Sequence, residues 1–148
     1  MLTSRDDASA DALRILLAED DDEMRDLLGA ALRAEGWEVE EARDGGEMLR
    51  QVREAYTEPT RAPDVIVMDV RMPKVSGLGL LAAIRRARWK TPIILITGFG
   101  DSLLHEQAAA LGANVVLDKP FELELLITSV ARVARSPEDN GAPASAIA

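Results

Sequence analysis

Five residues of this chain are of types that could handle a phosphoryl group or a metal ion: Glu19, Asp20, Asp69, Thr97 and Lys119. A carboxylate such as Asp69 can attack phosphorus to give an acyl phosphate, with a metal neutralising charge on the transferred oxygens. Lys119 would meet a phosphoryl oxygen as a point charge, and the Thr97 hydroxyl would donate to another. Three carboxylates gathered together repel one another, which raises their pKa values unless a cation is supplied. A hard, oxygen-loving Mg²⁺ suits an open acidic cleft, because it keeps several waters and needs only one or two carboxylates plus phosphate oxygen. Each residue alone has a plainer reading. An Asp after a strand is commonly a turn residue, Lys-Pro is commonly a loop, and the run Glu19-Asp20-Asp21-Asp22 can cap a helix N-terminus, where acids are favourable. Both readings hold together if Asp21 or Asp22 caps while Glu19 and Asp20 face a cleft.

The elements that must position these residues follow from apolar patterning. Val65-Ile66-Val67-Met68 runs straight into Asp69 and, after Val70-Arg71-Met72, into Pro73. So short an apolar run reads as a strand buried on both faces, with Asp69 at its carboxyl end. Ile15 to Ala18 reads as a first strand of the same kind. Met24, Leu27, Leu28 and Ala31, with Ala34 or Glu35, follow at helical spacing and Gly36 closes that helix. Trp37 to Ala42 is a second strand, and Gly45 to Ala55 a short helix carrying Met48, Leu49 and Val52. Tyr56 to Pro63 is a loop. Leu78, Leu81 and Ile84 mark a helix after Gly77 whose far end, Arg85-Arg86-Ala87-Arg88, carries the positive charge a helix C-terminus favours. Ile93 to Ile96 is the fourth strand. Asp101 caps a helix with Leu104, Ala108 and Leu111 inside, stopped by Gly112. Val115 to Leu117 is the fifth strand, followed by a last helix with Leu123, Leu126, Ile127 and Val130 inside. Five strands alternating with five helices call for a parallel sheet covered on both faces, and open sheets of this kind place ligands at the carboxyl ends of their strands. All five candidate residues fall on that edge.

Composition bounds the function. At 148 residues and 47% hydrophobic content the chain suits one compact domain. With no cysteine there is no thiolate metal site, disulfide or thiol nucleophile, which fits a reducing cytoplasm. No apolar run approaches the roughly 20 residues of a membrane helix, so we expect a cytoplasmic protein with no membrane partner. A net charge of −9, from 17 basic and 26 acidic residues, argues against direct nucleic-acid binding. The polar start, residues 1–12, reads as a flexible lead, and residues 136–148, rich in Pro, Gly, Ala and Ser, as a disordered tail.

Taken together, Glu19-Asp20, Asp69 through Met72-Pro73 to Gly77, Thr97, and Lys119-Pro120-Phe121 closely resemble the motifs of the receiver domain of bacterial two-component response regulators, in order, over about Arg14 to Arg135. The resemblance implies a flavodoxin-like (βα)₅ three-layer sandwich spanning residues 13–135, with strand order 2-1-3-4-5. It implies phosphoryl transfer from a histidine kinase or phosphotransfer protein to Asp69, assisted by Thr97 and Lys119. It also implies Mg²⁺ bound directly by Asp20, partly through water by Glu19, and by Asp69 and the backbone carbonyl of Arg71. The protein would not be a conventional enzyme, yet would catalyse its own phosphorylation and dephosphorylation. The resemblance also puts Arg71 and Phe99 at positions that influence phosphoaspartate lifetime in the family, where a bulky Phe99 would shield it from water.

Two features depart from the pattern. Glu19 stands where Asp is common, and Val116 stands where receivers usually carry an aromatic that swings inward, a lever valine cannot supply. His105 and Leu103 are candidates for a partner surface. With no output region after the fifth helix, the expectation is a stand-alone regulator that contacts a downstream protein; homodimerisation stays open. The alternatives are a phosphate-independent interaction module, for which Val116 argues, and a receiver excised from a larger regulator or hybrid kinase. An aspartate-based phosphatase is disfavoured because Arg71 stands where a second carboxylate would be needed. Flavin binding is weaker still for want of aromatics to stack on the ring.

Overall fold

The computed structural model describes residues 12–58, 62–98 and 102–135. In chain order the elements are β1 (Arg14–Ala18), α1 (Asp22–Arg33), β2 (Glu38–Ala42), α2 (Gly45–Thr57), β3 (Val65–Asp69), α3 (Gly77–Arg86), β4 (Ile93–Thr97), α4 (Ser102–Leu111), β5 (Val115–Asp118) and α5 (Leu123–Arg135). The strands form one five-stranded sheet in the order β2-β1-β3-β4-β5, with every neighbouring pair parallel. This is the flavodoxin-like arrangement expected.

Alternation along each central strand divides the core in two. Ile15, Leu17, Val65, Val67, Ile94 and Ile96 point to one face, where Leu28 and Leu32 of α1 and Leu126, Val130 and Val133 of α5 cover them. Leu16, Ala18, Ile66, Met68, Ile93 and Leu95 point to the other, packed by Met48 and Val52 of α2, Leu80, Leu81 and Ile84 of α3, and Ala108 of α4. The side-chain period of two makes both faces apolar only if nearly every residue is apolar, which is why β3 and β4 read as continuous hydrophobic runs. β2, at the sheet edge, instead alternates exposed Glu38 and Glu40 with half-buried Val39 and Glu41. Charge on an edge strand discourages pairing with another chain.

Helix starts are set by side chains that accept otherwise unpaired backbone N–H groups. Asp21 accepts from Glu23 N and caps α1, Asp44 accepts from Glu47 N at 2.8 Å and caps α2, and Ser76 accepts from Gly79 N and caps α3. Gly36 and Gly112 adopt φ of 89° and 105° just past α1 and α4, conformations that side chains with a Cβ rarely tolerate.

Several details differ from the sequence reading. The buried stripe of α1 is Arg25, Leu28, Gly29 and Leu32, and Leu27, expected inside, is 52% exposed. Gly29 lies over Glu41 on this inner side, where a Cβ would fall 2.6 Å from the end of the Glu41 side chain. Leu111 lies on the outer side of α4. Thr57 continues α2, its hydroxyl donating to Glu54 O, so the expected loop starts later. The Asp101 cap, the expected tail 136–148 and all but Ala12 of the expected lead lie outside the described residues.

The β3–α3 connection is held by close backbone packing. Gly77 N donates to Val70 O at 2.8 Å. A Cβ at Gly77 would clash with the Asp69 carbonyl oxygen and the Val70 Cα. Gly77→Ala is therefore expected to lower stability by about 1–3 kcal/mol, read as a lower urea midpoint with an unchanged slope.

Candidate phosphoacceptor and metal site

The sheet order reverses at β1, which lies between β2 and β3. A crevice forms outside the carboxyl ends of strands at such a point. Glu19 and Asp20 follow β1 directly and Asp69 ends β3, so the topology delivers all three carboxylates to one place. Each offers an oxygen within 4.8 Å of the others; Glu19 and Asp69 are buried, whereas Asp20 is exposed. This donor set, hard oxygens with one group open to solvent, fits a divalent cation of the Mg²⁺ type.

Lys119, from the loop after β5, reaches into the same crevice. Its Nζ lies 2.6 Å from Asp69 Oδ2 and 3.2 Å from Glu19 Oε1, so one ammonium bridges two buried carboxylates. Lys119 N donates to Thr97 O at 2.7 Å, which fixes the base of the lysine against the end of β4. The Lys119-Pro120 peptide bond is cis. The remaining oxygen of each carboxylate is held by backbone: Asp69 Oδ1 accepts from Arg71 N at 2.8 Å and Glu19 Oε2 from Asp21 N at 3.1 Å. Thr97, only 1% exposed, ends β4 beside these groups and pairs in register with Asp118.

Burial pushes the Glu19 carboxyl up to about 7, opposed by the Asp21 N–H, reinforced by the Asp69 charge and opposed again by Lys119. Mutual repulsion was the expected cause; desolvation is the larger one. Burial works to lower the Lys119 ammonium, but its hydrogen bond and charge pairing with Asp69, then Glu19, win and raise it. Lys119 therefore stays charged at neutral pH.

Of the four consecutive acids, Asp21 is spent as the α1 cap and Asp22 pairs with Arg25, leaving Glu19 and Asp20 for the crevice. Arg71 is exposed in the β3–α3 loop. Phe99 lies outside the described residues. Val116 sits on β5 opposite Leu95 and packs against the core. On α4, Leu103 is 61% exposed, and His105 Nε2 lies 3.0 Å from both carboxylate oxygens of Asp118. The sequence reading missed Arg25. Its signal was the spacing Arg25, Leu28, Leu32, a stripe at three and four residues that places a guanidinium on the inner face.

Comparison with known proteins agrees with this geometry. The sequence matches the response regulator receiver domain family over residues 15–131. It is 34% identical over 130 residues to the transcriptional regulatory protein CpxR homolog of Haemophilus influenzae, covering 86% of this chain and 54% of that protein. It is 33% identical over 119 residues to the regulatory protein AtoC of Escherichia coli, covering 80% and 24%. The chain thus spans about half or less of the length of these curated relatives. Among solved structures, the chemotaxis protein CheY4 of Vibrio cholerae superposes with a TM-score of 0.72 at 33% identity, over 82% of this chain and 98% of that one. A CheY-like receiver from Methanospirillum hungatei, at 24% identity and a TM-score of 0.77 over 86% and 98%, shares the fold. With the strand order, the acidic crevice and the bridging lysine in the same chain, the protein belongs to the response regulator receiver domain family of two-component signalling.

Proposed function

We propose that Asp69 accepts a phosphoryl group from a phosphorylated histidine on a kinase or phosphotransfer protein, and that the modified domain signals through contacts with a downstream protein. The observation that carries this reading is the Lys119 ammonium bridging Asp69 Oδ2 and Glu19 Oε1 beside Asp20 at the switch point of the sheet. A carboxylate oxygen of Asp69 attacks phosphorus, an O–P bond forms, the P–N bond to the partner's histidine breaks, and its electron pair returns to the imidazole nitrogen. Negative charge then moves from the Asp69 carboxylate to the phosphoryl oxygens. Lys119, a point charge on a flexible stem, follows it. The Thr97 hydroxyl would donate to a second oxygen. Glu19, Asp20, Asp69 and the Arg71 carbonyl would hold Mg²⁺, which when bound neutralises charge on the transferred oxygens. The added charge of about −1.5 to −2 biases a conformational equilibrium that the partner reads.

The relatives named as transcriptional regulatory proteins are matched over only 54% and 48% of their length, so the proposal is for the receiver as a unit, whatever accompanies it. The domain is taken as residues 13–135, enclosing the matched span. A cytoplasmic setting follows from the partners proposed; among the described residues no helix is long and apolar enough to cross a membrane. The second reading, a phosphate-independent interaction module, draws on Val116, whose side chain has no ring to swing when Thr97 moves.

Incubation with acetyl phosphate and Mg²⁺ should add the mass of one phosphoryl group, lost in Asp69→Asn and on chelation with EDTA; no mass gain under any phosphodonor would favour the interaction module. Phe99→Ala is expected to shorten the half-life of the phosphorylated protein severalfold, and an unchanged half-life would remove Phe99 from the account. In EDTA, ionising Glu19 costs the folded state, because its folded pKa of about 7 exceeds the ordinary 4.5. The folded chain holds the extra proton, so stability from this group falls as pH rises through that window. Glu19→Gln should therefore gain on the wild type between pH 5 and 8 by no more than about 3 kcal/mol, measured by urea unfolding at each pH.

A further inference from the structure

We propose that Arg25 is a positioning residue for the metal site, holding the acidic corner so that Glu19 and Asp20, and not Asp22, face the crevice. The inference rests on the metal-dependent reading above and goes beyond it by assigning a role to a residue outside the crevice. Arg25 is 8% exposed, although it lies on a helix of a strongly acidic chain. A buried guanidinium persists only where its donors are satisfied. Its guanidinium contacts gather at the corner: NH1 donates to Glu19 O at 2.9 Å, NH2 to Asp22 Oδ1 at 2.6 Å, and Nε lies 3.6 Å from Glu41 Oε1 on β2.

Each contact bears on the crevice. Glu19 N still pairs with Ala42 O in continuation of the sheet, and it is the Glu19 carbonyl that Arg25 takes. That carbonyl shares one rigid peptide plane with the nitrogen and Cα of Asp20. Fixing it therefore fixes the backbone that carries the exposed carboxylate of the site. The ion pair with Asp22 draws a fourth carboxylate away from three others that already repel. Glu41 anchors the guanidinium from below and also pairs with Arg33 at 2.7 Å, and the absent side chain of Gly29 leaves room for it under α1. An ammonium at the same place keeps the charge but lacks the planar fork needed to reach the carbonyl and both acids at once.

The test is calorimetric titration of the full chain with MgCl₂, with urea midpoints measured on the same variants. Arg25→Lys is expected to weaken Mg²⁺ binding about tenfold, with the rate of acetyl phosphate modification recovering at saturating Mg²⁺. A merely structural arginine would shift the urea midpoint without this split. Asp22→Asn keeps an oxygen that can accept from Arg25, so it should change the affinity less than about threefold, whereas Asp20→Asn should lose most of it. Unchanged Mg²⁺ affinity in Arg25→Lys, or an Asp22→Asn loss equal to that of Asp20→Asn, would overturn the assignment while leaving the phosphoacceptor reading intact. Failure of the wild type to bind Mg²⁺ would overturn both.

Discussion

A single ammonium between two buried carboxylates is the constraint on which the site depends. Asp69 and Glu19 are 5% and 1% exposed, and two ionised acids at such positions would be costly without a counter-charge. Lys119 supplies one positive charge for the pair, at 2.6 Å and 3.2 Å, and Asp20 adds a third carboxylate within 4.8 Å. The crevice therefore remains net negative after Lys119 is counted. A place so short of positive charge suits a divalent cation of the Mg²⁺ type, and the phosphoryl group proposed for Asp69 would need one beside it.

The fold keeps this imbalance from relaxing. Lys119 cannot retreat freely, because its backbone N–H is bound to the end of β4. Asp69 cannot rotate freely, since the Arg71 N–H holds one oxygen and Lys119 the other. The strand that carries it is clad on both faces, and Gly77 allows α3 to press directly on its carboxyl end. Rigid walls around a charged centre let a small change at that centre be felt at neighbouring elements. The β4 and β5 ends beside it lead outward to α4, where His105 meets Asp118, the residue immediately before Lys119.

Much of this was legible in the chain. Val65 to Met68 and Ile93 to Ile96 are apolar without interruption, and only strands covered on both faces require that. Glu19, Asp69 and Thr97 directly follow apolar runs, and Asp20 and Lys119 come one residue later, so the strand ends alone predicted their convergence. Less legible was α1, where Leu27 and Leu28 are equally apolar and helical spacing admits either as the inner residue. The inner side carries Gly29, over Glu41, and Arg25, whose partners are the Glu19 carbonyl, Asp22 and, from β2, Glu41. A basic residue on an inner helical face is a poor guess until those partners are known.

The sequence by itself determined the order and type of the elements, the edge on which the chemistry lies and the family, because these follow from local periodicity and from residues at the ends of apolar runs. Only the tertiary structure decided how the charges are apportioned. Whether Lys119 touches one carboxylate or two, which of Asp21 and Asp22 caps α1, and whether burial or repulsion lifts Glu19 depend on distances between residues up to 100 positions apart. Such distances are set by packing across the sheet, and no local pattern encodes them.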